Sequence, residues 1–223
     1  MMKAIVVFLM ILVSCSQGEG QKSDLTSERL FNSYIESFKN CNIPLTLDRN
    51  QLLDLSYVSY DSDKQEHLEN NSSVINATYD KFIPAKLKND GQSKLRSLFV
   101  VRRIKGFYLV LIAKDIFEDG EQRALELFAV IYEKSGGIID VTEVAGYEID
   151  VYDGHFEITK DFKIISKRYE FKQYPDANPQ NYSYAVETVS TYELETNGKF
   201  LKTQKKTREG YFSEGEKGYV FVD

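Results

Sequence analysis

From residue 95 onward the chain alternates strand-length segments with connections too short to hold a helix. Segments 95–104, 106–116, 124–134, 137–147, 155–160, 162–173, 182–195, 199–212 and 219–222 are rich in Val, Ile, Leu, Tyr and Phe. Between them stand Asp119-Gly120, Ser135-Gly136-Gly137, Asp153-Gly154 and Asn197-Gly198. Such sequences supply the positive φ angles of tight hairpins. A parallel neighbour needs a crossover of about a dozen residues or more, so these segments must pair antiparallel. The expected fold is mainly β: an antiparallel meander of about eight or nine strands, as a rolled sheet, sandwich or open barrel.

Side-chain alternation refines this expectation. Leu109-Val110-Leu111-Ile112 and the stretch 125–132 are apolar on both faces, as in central strands. Phe156 and Ile158 alternate with polar neighbours. After Phe162 and Ile164 the apolar phase shifts to Ile165, Tyr169 and Phe171, which predicts a bulge or bend. Lys199, Lys202, Lys205, Lys206 and Arg208 load one late segment with positive charge. That pattern fits an edge strand guarded by lysines, or else a patch for an anionic ligand or phospholipid head group. Strand pairs recur at irregular spacing, without an internal repeat.

Upstream of the strands, residues 25–40 read as one amphipathic helix. Thr26 or Ser27 is placed to cap it and Glu28 suits its first turn. Leu30, Phe31, Tyr34, Ile35 and Phe38 follow the spacing of a single apolar face. That face suits packing on a sheet, or alternatively a partner. Pro44 predicts an extended segment over 43–47, and 51–55 reads as a short helix. The stretch 48–90 is otherwise rich in Asn, Asp and Ser. Asp61-Ser62-Asp63 does not open a calcium loop, because Glu66 and Ser72 stand where glycine and an acid are required.

The first residues set the compartment. Met1-Met2-Lys3 is a basic start, and 4–13 is an uninterrupted apolar run. As a helix that run covers roughly 15 Å, about half of a bilayer core. It is therefore too short to span a membrane and fits a cleavable signal peptide. Leu12-Val13-Ser14-Cys15 resembles the bacterial lipobox. The resemblance implies that the Cys15 thiol carries diacylglycerol, that a signal peptidase cuts between Ser14 and Cys15, and that acyl chains hold the protein on a membrane. The alternatives are an ordinary secretory signal with a chance cysteine, or an uncleaved anchor. In the sorting scheme of such lipoproteins, Ser16 in place of aspartate points to the outer membrane. Residues 15–23 read as a flexible tether and 24–223 as a single β-rich domain.

A second, broader resemblance covers roughly 38–171. Phe38-Lys39-Asn40-Cys41-Asn42-Ile43-Pro44-Leu45, then Tyr108-Leu109-Val110-Leu111-Ile112, then Glu126-Leu127-Phe128-Ala129-Val130-Ile131-Tyr132 are followed by a glycine turn, Ile139-Asp140 and Phe156-Glu157-Ile158. This layout resembles uncharacterised β-rich lipoproteins of Gram-negative bacteria, and it implies no particular activity.

Charge and composition narrow the chemistry. The formal net charge is −6, and loss of residues 1–14 removes only Lys3, taking it to −7. A chain of that balance, without a recognisable motif, does not suit nucleic acid. With Cys15 lipidated, Cys41 is left as a buried small hydrophobe or a free thiol. Nucleophile elbow, zincin, phosphate-loop and C-x-x-C motifs are absent, and with two histidines no metal site built on His is expected. No cofactor is expected either. With 34 acidic residues, a carboxylate pair assembled only by the fold stays open. The leading expectation is a non-enzymatic, lipid-anchored envelope protein that binds a protein or glycan through its β body. The alternatives are an immunity-type protein against an envelope-targeted toxin, and a hydrolase.

Overall fold

The computed structural model describes residues 18–55, 58–61, 66–69, 74–88, 91–104, 106–149, 151–172, 183–213 and 218–220. Residues 1–17, with the apolar run, Ser14 and Cys15, lie outside the described residues, as do 62–65 next to Asp61. In chain order the elements are α1 (Gly18–Glu36), β1 (Lys39–Asn40), β2 (Leu45–Leu47), α2 (Arg49–Asp54), β3 (Val58–Asp61) and β4 (Glu66–Glu69). Two 3₁₀ turns follow, Ala77–Phe82 and Ala85–Leu87. Then come β5 (Ser93–Ile104), β6 (Phe107–Glu118), β7 (Glu121–Tyr132), β8 (Ile138–Glu148), β9 (Tyr152–Ile158), β10 (Lys163–Lys172), β11 (Ser183–Leu194), β12 (Phe200–Ser213) and β13 (Gly218–Val220).

The molecule is mainly β, and its nine C-terminal strands form the predicted meander. One open sheet runs β1-β5-β6-β7-β8-β9-β10-β11-β12-β13, with β2 paired to β9 beside this path and β3-β4 as a separate hairpin. Every pairing from β5 to β13 is antiparallel, as the short connections require. Asp119 and Gly120, at φ 51° and 84°, form the two-residue turn between β6 and β7, which closes on the pair Glu118 and Glu121.

β6 and β7 are buried on both faces. Leu109, Leu111, Leu125, Leu127, Ala129 and Ile131 point to an inner cluster with Leu52, Phe156, Ile158, Ile164 and Leu194. Val110, Ile112, Phe128, Val130 and Tyr132 point to the other cluster, beneath α1. There Phe31, Tyr34, Ile35 and Phe38 of α1 are buried, as the helical spacing predicts. Phe82 meets Phe31 edge-on at 5.1 Å and stacks on Tyr34 at 5.4 Å, ring centre to ring centre. The Tyr132 hydroxyl donates to the Phe82 carbonyl at 2.7 Å and lies 3.2 Å from the Tyr34 hydroxyl. The apolar face of α1 therefore packs on the sheet.

Four local expectations are corrected. First, the helix runs Gly18–Glu36, not 25–40. Upstream, Glu19, Gln21 and Lys22 are good helix formers, so the helix propagates into what reads as tether, past Thr26 and Ser27. Downstream, Lys39 and Asn40 pair in parallel with Phe99 and Val100, and the Cys41 amide donates to the Val100 carbonyl at 3.1 Å. The edge of β5 thus takes the backbone groups a longer helix would have used. Second, α2 is Arg49–Asp54, because Asp48 caps it: its carboxylate accepts from the Gln51 amide while Gln51 Oε1 accepts from the Asp48 amide, both at 2.9 Å.

Third, Asp153-Gly154 is not a turn but lies within β9, and the chain reverses earlier, where the Val151 amide donates to the Glu148 carbonyl. β8 and β9 share a single register pair, Glu148 and Tyr152, before they diverge. β2 fills the gap by pairing Leu45, Thr46 and Leu47 with Ile158, Glu157 and Phe156. Fourth, β10 has continuous register on both sides, so its phase shift is not a bulge. Phe162 sits in the turn at φ 63°, and the strand starts afresh at Lys163.

The sheet rolls on its inner cluster until the β11–β12 turn meets the start of β8. The Phe200 amide donates to Asp140 Oδ2 at 2.7 Å, and Gly198 lies against Ile139 and Phe107.

Candidate functional site

Cys15 and Ser14, the residues the sequence marks most strongly, fall outside the described residues. Cys41 is a free cysteine, half-buried against the inner cluster, and burial pushes its thiol above the ordinary range.

Three polar constellations are built by the sheet. The first closes one end of the inner cluster. Arg96 on β5 and Asp115 on β6 are both fully buried and bond in two places, Nε to Oδ2 at 2.5 Å and Nη2 to Oδ1 at 2.8 Å. Gln122 donates to the same Oδ1 at 2.7 Å, and Arg96 Nη2 also donates to the Leu55 carbonyl at the end of α2. A paired, fully bonded charge of this kind ties α2 to the sheet.

The second is a row across four strands. Asp153, Tyr169, Glu187 and Arg208 are directly opposite one another on β9, β10, β11 and β12. Arg49 of α2 reaches Asp153 at 2.6 Å, and Arg208 bonds Glu187 at the other end. Both carboxylates are buried and both guanidinium groups half-exposed. Burial, with the charge and hydrogen bond of Glu187, pushes the Tyr169 phenol well above the ordinary range. Each carboxylate is held by an arginine, and the row pins four strands and α2 in register.

The third lies where β8 and β9 part, and it has the chemistry of a site. Gly146 and Gly154 touch backbone to backbone, which lets β9 cross β8 there. Arg168 on β10 stands opposite Gly154. Its guanidinium carbon lies 3.7 Å from the centre of the Tyr152 ring, and its Nη1 is 3.4 Å from Glu143 Oε1. Its Nε forms an ion pair with Glu170 at 3.2 Å without hydrogen-bond alignment. Glu126 faces Gly146 across β7–β8 and Lys114 across β6–β7. Burial raises the Glu126 carboxyl above the usual range, Glu143 and Glu148 add to this, and Lys114 and Arg168 oppose it. Burial and Glu143 likewise push the Tyr152 phenol up. One half-buried carboxyl, raised by burial, thus lies near a second carboxylate that is paired with a guanidinium, and near a phenol. Two carboxyls in unlike surroundings are the raw material of a two-carboxylate site.

None of Glu126, Glu143, Tyr152 and Arg168 carries a signal in the sequence. They are spread over four strands, and only the β8–β9 crossing brings them together.

The lysine-loaded segment is an edge. β12 pairs with β11 along its length, but β13 covers it only at 211–213. Among the described residues no strand lies beside 200–207, and 201–207 are exposed.

No family model matches the chain, and no curated protein and no solved structure is detectably similar to it.

Proposed function

We propose that the chain is a lipid-anchored cell-envelope protein, held on the outer membrane through Cys15, whose β body binds a partner rather than transforming a substrate. The anchoring rests on the lipobox-like Leu12-Val13-Ser14-Cys15 after a short apolar run. The observation that carries the binding role is the long exposed edge of β12, in a body whose described buried charges are spent on internal pairs: Arg96 with Asp115, Arg49 with Asp153, Arg208 with Glu187. A cross-linked, full-length tagged chain, purified from envelopes in detergent, tests this. It should retain one partner in fixed ratio, and purification of the chain alone, under the same cross-linking, would contradict the binding role.

A second reading, a hydrolase, is favoured by Glu126 and Glu143, whose environments differ in the way described. Hydrolysis of a panel of envelope glycans by the wild type, lost in Glu126→Gln, would replace the first reading with this one.

A further inference from the structure

We infer that the free edge of β12 takes up an extended, acidic segment of a partner protein as an added strand. This rests on the binding role proposed above and names the chemistry of the partner.

The edge supplies the backbone half of the interaction. A strand paired on one side only presents alternating N–H and C=O groups outward, and an added strand satisfies them in sequence. Residues 200–207 are paired inward with β11 and have no described strand outside them.

The side chains supply the selection. The register between β11 and β12 shifts at Thr203, so that Lys202 opposes Tyr192 and Lys205 opposes Ser190. Tyr192 and Ser190 share a face of β11, and the shift therefore puts Lys202 and Lys205 on one face although three positions separate them. Lys202 holds its ammonium 5.3 Å from the Tyr192 ring centre. Lys206, opposite Val189, is on the other face, and Lys199 is exposed just before the strand. An incoming strand thus meets cations on both faces. Lysines on an edge repel basic strands and discourage apolar ones, but an acidic strand gains at each opposed pair.

Charge also decides between occupants. The chain as a whole is acidic, at −6, and β12 concentrates its cations locally. A second copy pairing edge to edge would set the lysines of one β12 against those of the other, which is destabilising. An anionic bilayer surface would meet the charge but leave the outward N–H groups without strand partners.

The test is binding of a fluorescent synthetic peptide alternating valine and glutamate to the full-length chain in a neutral detergent. Saturable binding is expected. It should weaken about tenfold in Lys202→Glu/Lys205→Glu, two opposed pairs having become repulsive. Replacing glutamate by lysine in the peptide should abolish binding to the wild type and restore it to that variant. N-methylation of alternate peptide amides keeps the charge and removes the strand bonds, and should also abolish binding. Binding that survives N-methylation, binding that ignores the charge reversal, or binding to phosphatidylglycerol vesicles without binding to the peptide would each overturn the inference. So would no binding at all. The variant's circular dichroism and melting temperature should match the wild type, since both side chains are exposed. A partner captured from envelopes in undiminished amount by the charge-reversed variant would sink the edge while leaving the binding role intact; a chain that captures nothing in either form sinks the role itself.

Discussion

Gly154 of β9 rests directly on the backbone of Gly146 in β8: a Cβ on Gly154 would lie 2.4 Å from the Gly146 carbonyl oxygen and 2.8 Å from its nitrogen. This contact is where the sheet changes direction. It separates the run β5–β8, which carries α1 on one face, from β9–β12, which closes the inner cluster, and it gathers Glu126, Tyr152 and Arg168.

Gly154→Ala should therefore cost about 3 kcal/mol, at the upper end of overpacking, because the obstacle is backbone that cannot rotate away. Gly91→Ala meets no atom within 4 Å and should lose only the roughly 1–2 kcal/mol of its positive φ. Urea denaturation of the two variants makes the comparison. Equal losses would mean the strands do not cross as described.

Asp115→Ala takes its carboxylate from the buried Arg96, and should cost about 3–5 kcal/mol. Replacing both, as Arg96→Met/Asp115→Leu, should cost clearly less than the single change, because no charge is then stranded. A double variant as unstable as the single one would show that the bond from Arg96 to the Leu55 carbonyl matters more than the pairing.

The buried phenols set the alkaline limit. Burial raises Tyr34 and Tyr132 above the ordinary tyrosine value of about 10. The folded state thus holds these protons more tightly than the unfolded chain. The resulting stability is intact below about pH 10 and is lost as pH rises above it. Ultraviolet titration should show these tyrosines ionising only together with unfolding. Tyr132→Phe, which leaves the Phe82 carbonyl without its donor, should cost about 1–3 kcal/mol at neutral pH.

Glu126 works in the opposite pH range. Its carboxyl is raised by burial first and by Glu143 next, so its contribution is present below about pH 4 and is lost as pH rises through the folded value. Glu126→Gln should be more stable than the wild type at pH 7, with the difference shrinking toward pH 4. Thermal melts across that range check it. A variant less stable than the wild type at pH 7 would show that the charged carboxylate is needed where it lies.

What the sequence made legible was local. The central strands β6 and β7 announce themselves by apolar residues on both faces, and Asp119-Gly120 by its turn chemistry. What it hid was settled by residues far along the chain. Leu45–Leu47 becomes a strand only because β9 offers Phe156–Ile158 as a partner. Asp153-Gly154 has the composition of a turn but is held straight by β10, with Tyr169 opposite Asp153 and Arg168 opposite Gly154. The candidate site was illegible for the same reason. Glu126 is one of 34 acidic residues, and its half-buried place beside Glu143 exists only once β8 has paired with β7.

On the lipid-anchor proposal, the membrane holds the chain by its N-terminal end at Cys15. Mass spectrometry of the N-terminal peptide, from protein produced in a Gram-negative host, tests it directly. The expected peptide begins at Cys15 and carries the mass of a diacylglyceryl group, with none beginning at Met1, and Cys15→Ala should yield no acylated species. An N-terminal peptide that retains residues 1–14, or that begins elsewhere with Cys15 unmodified, would contradict it.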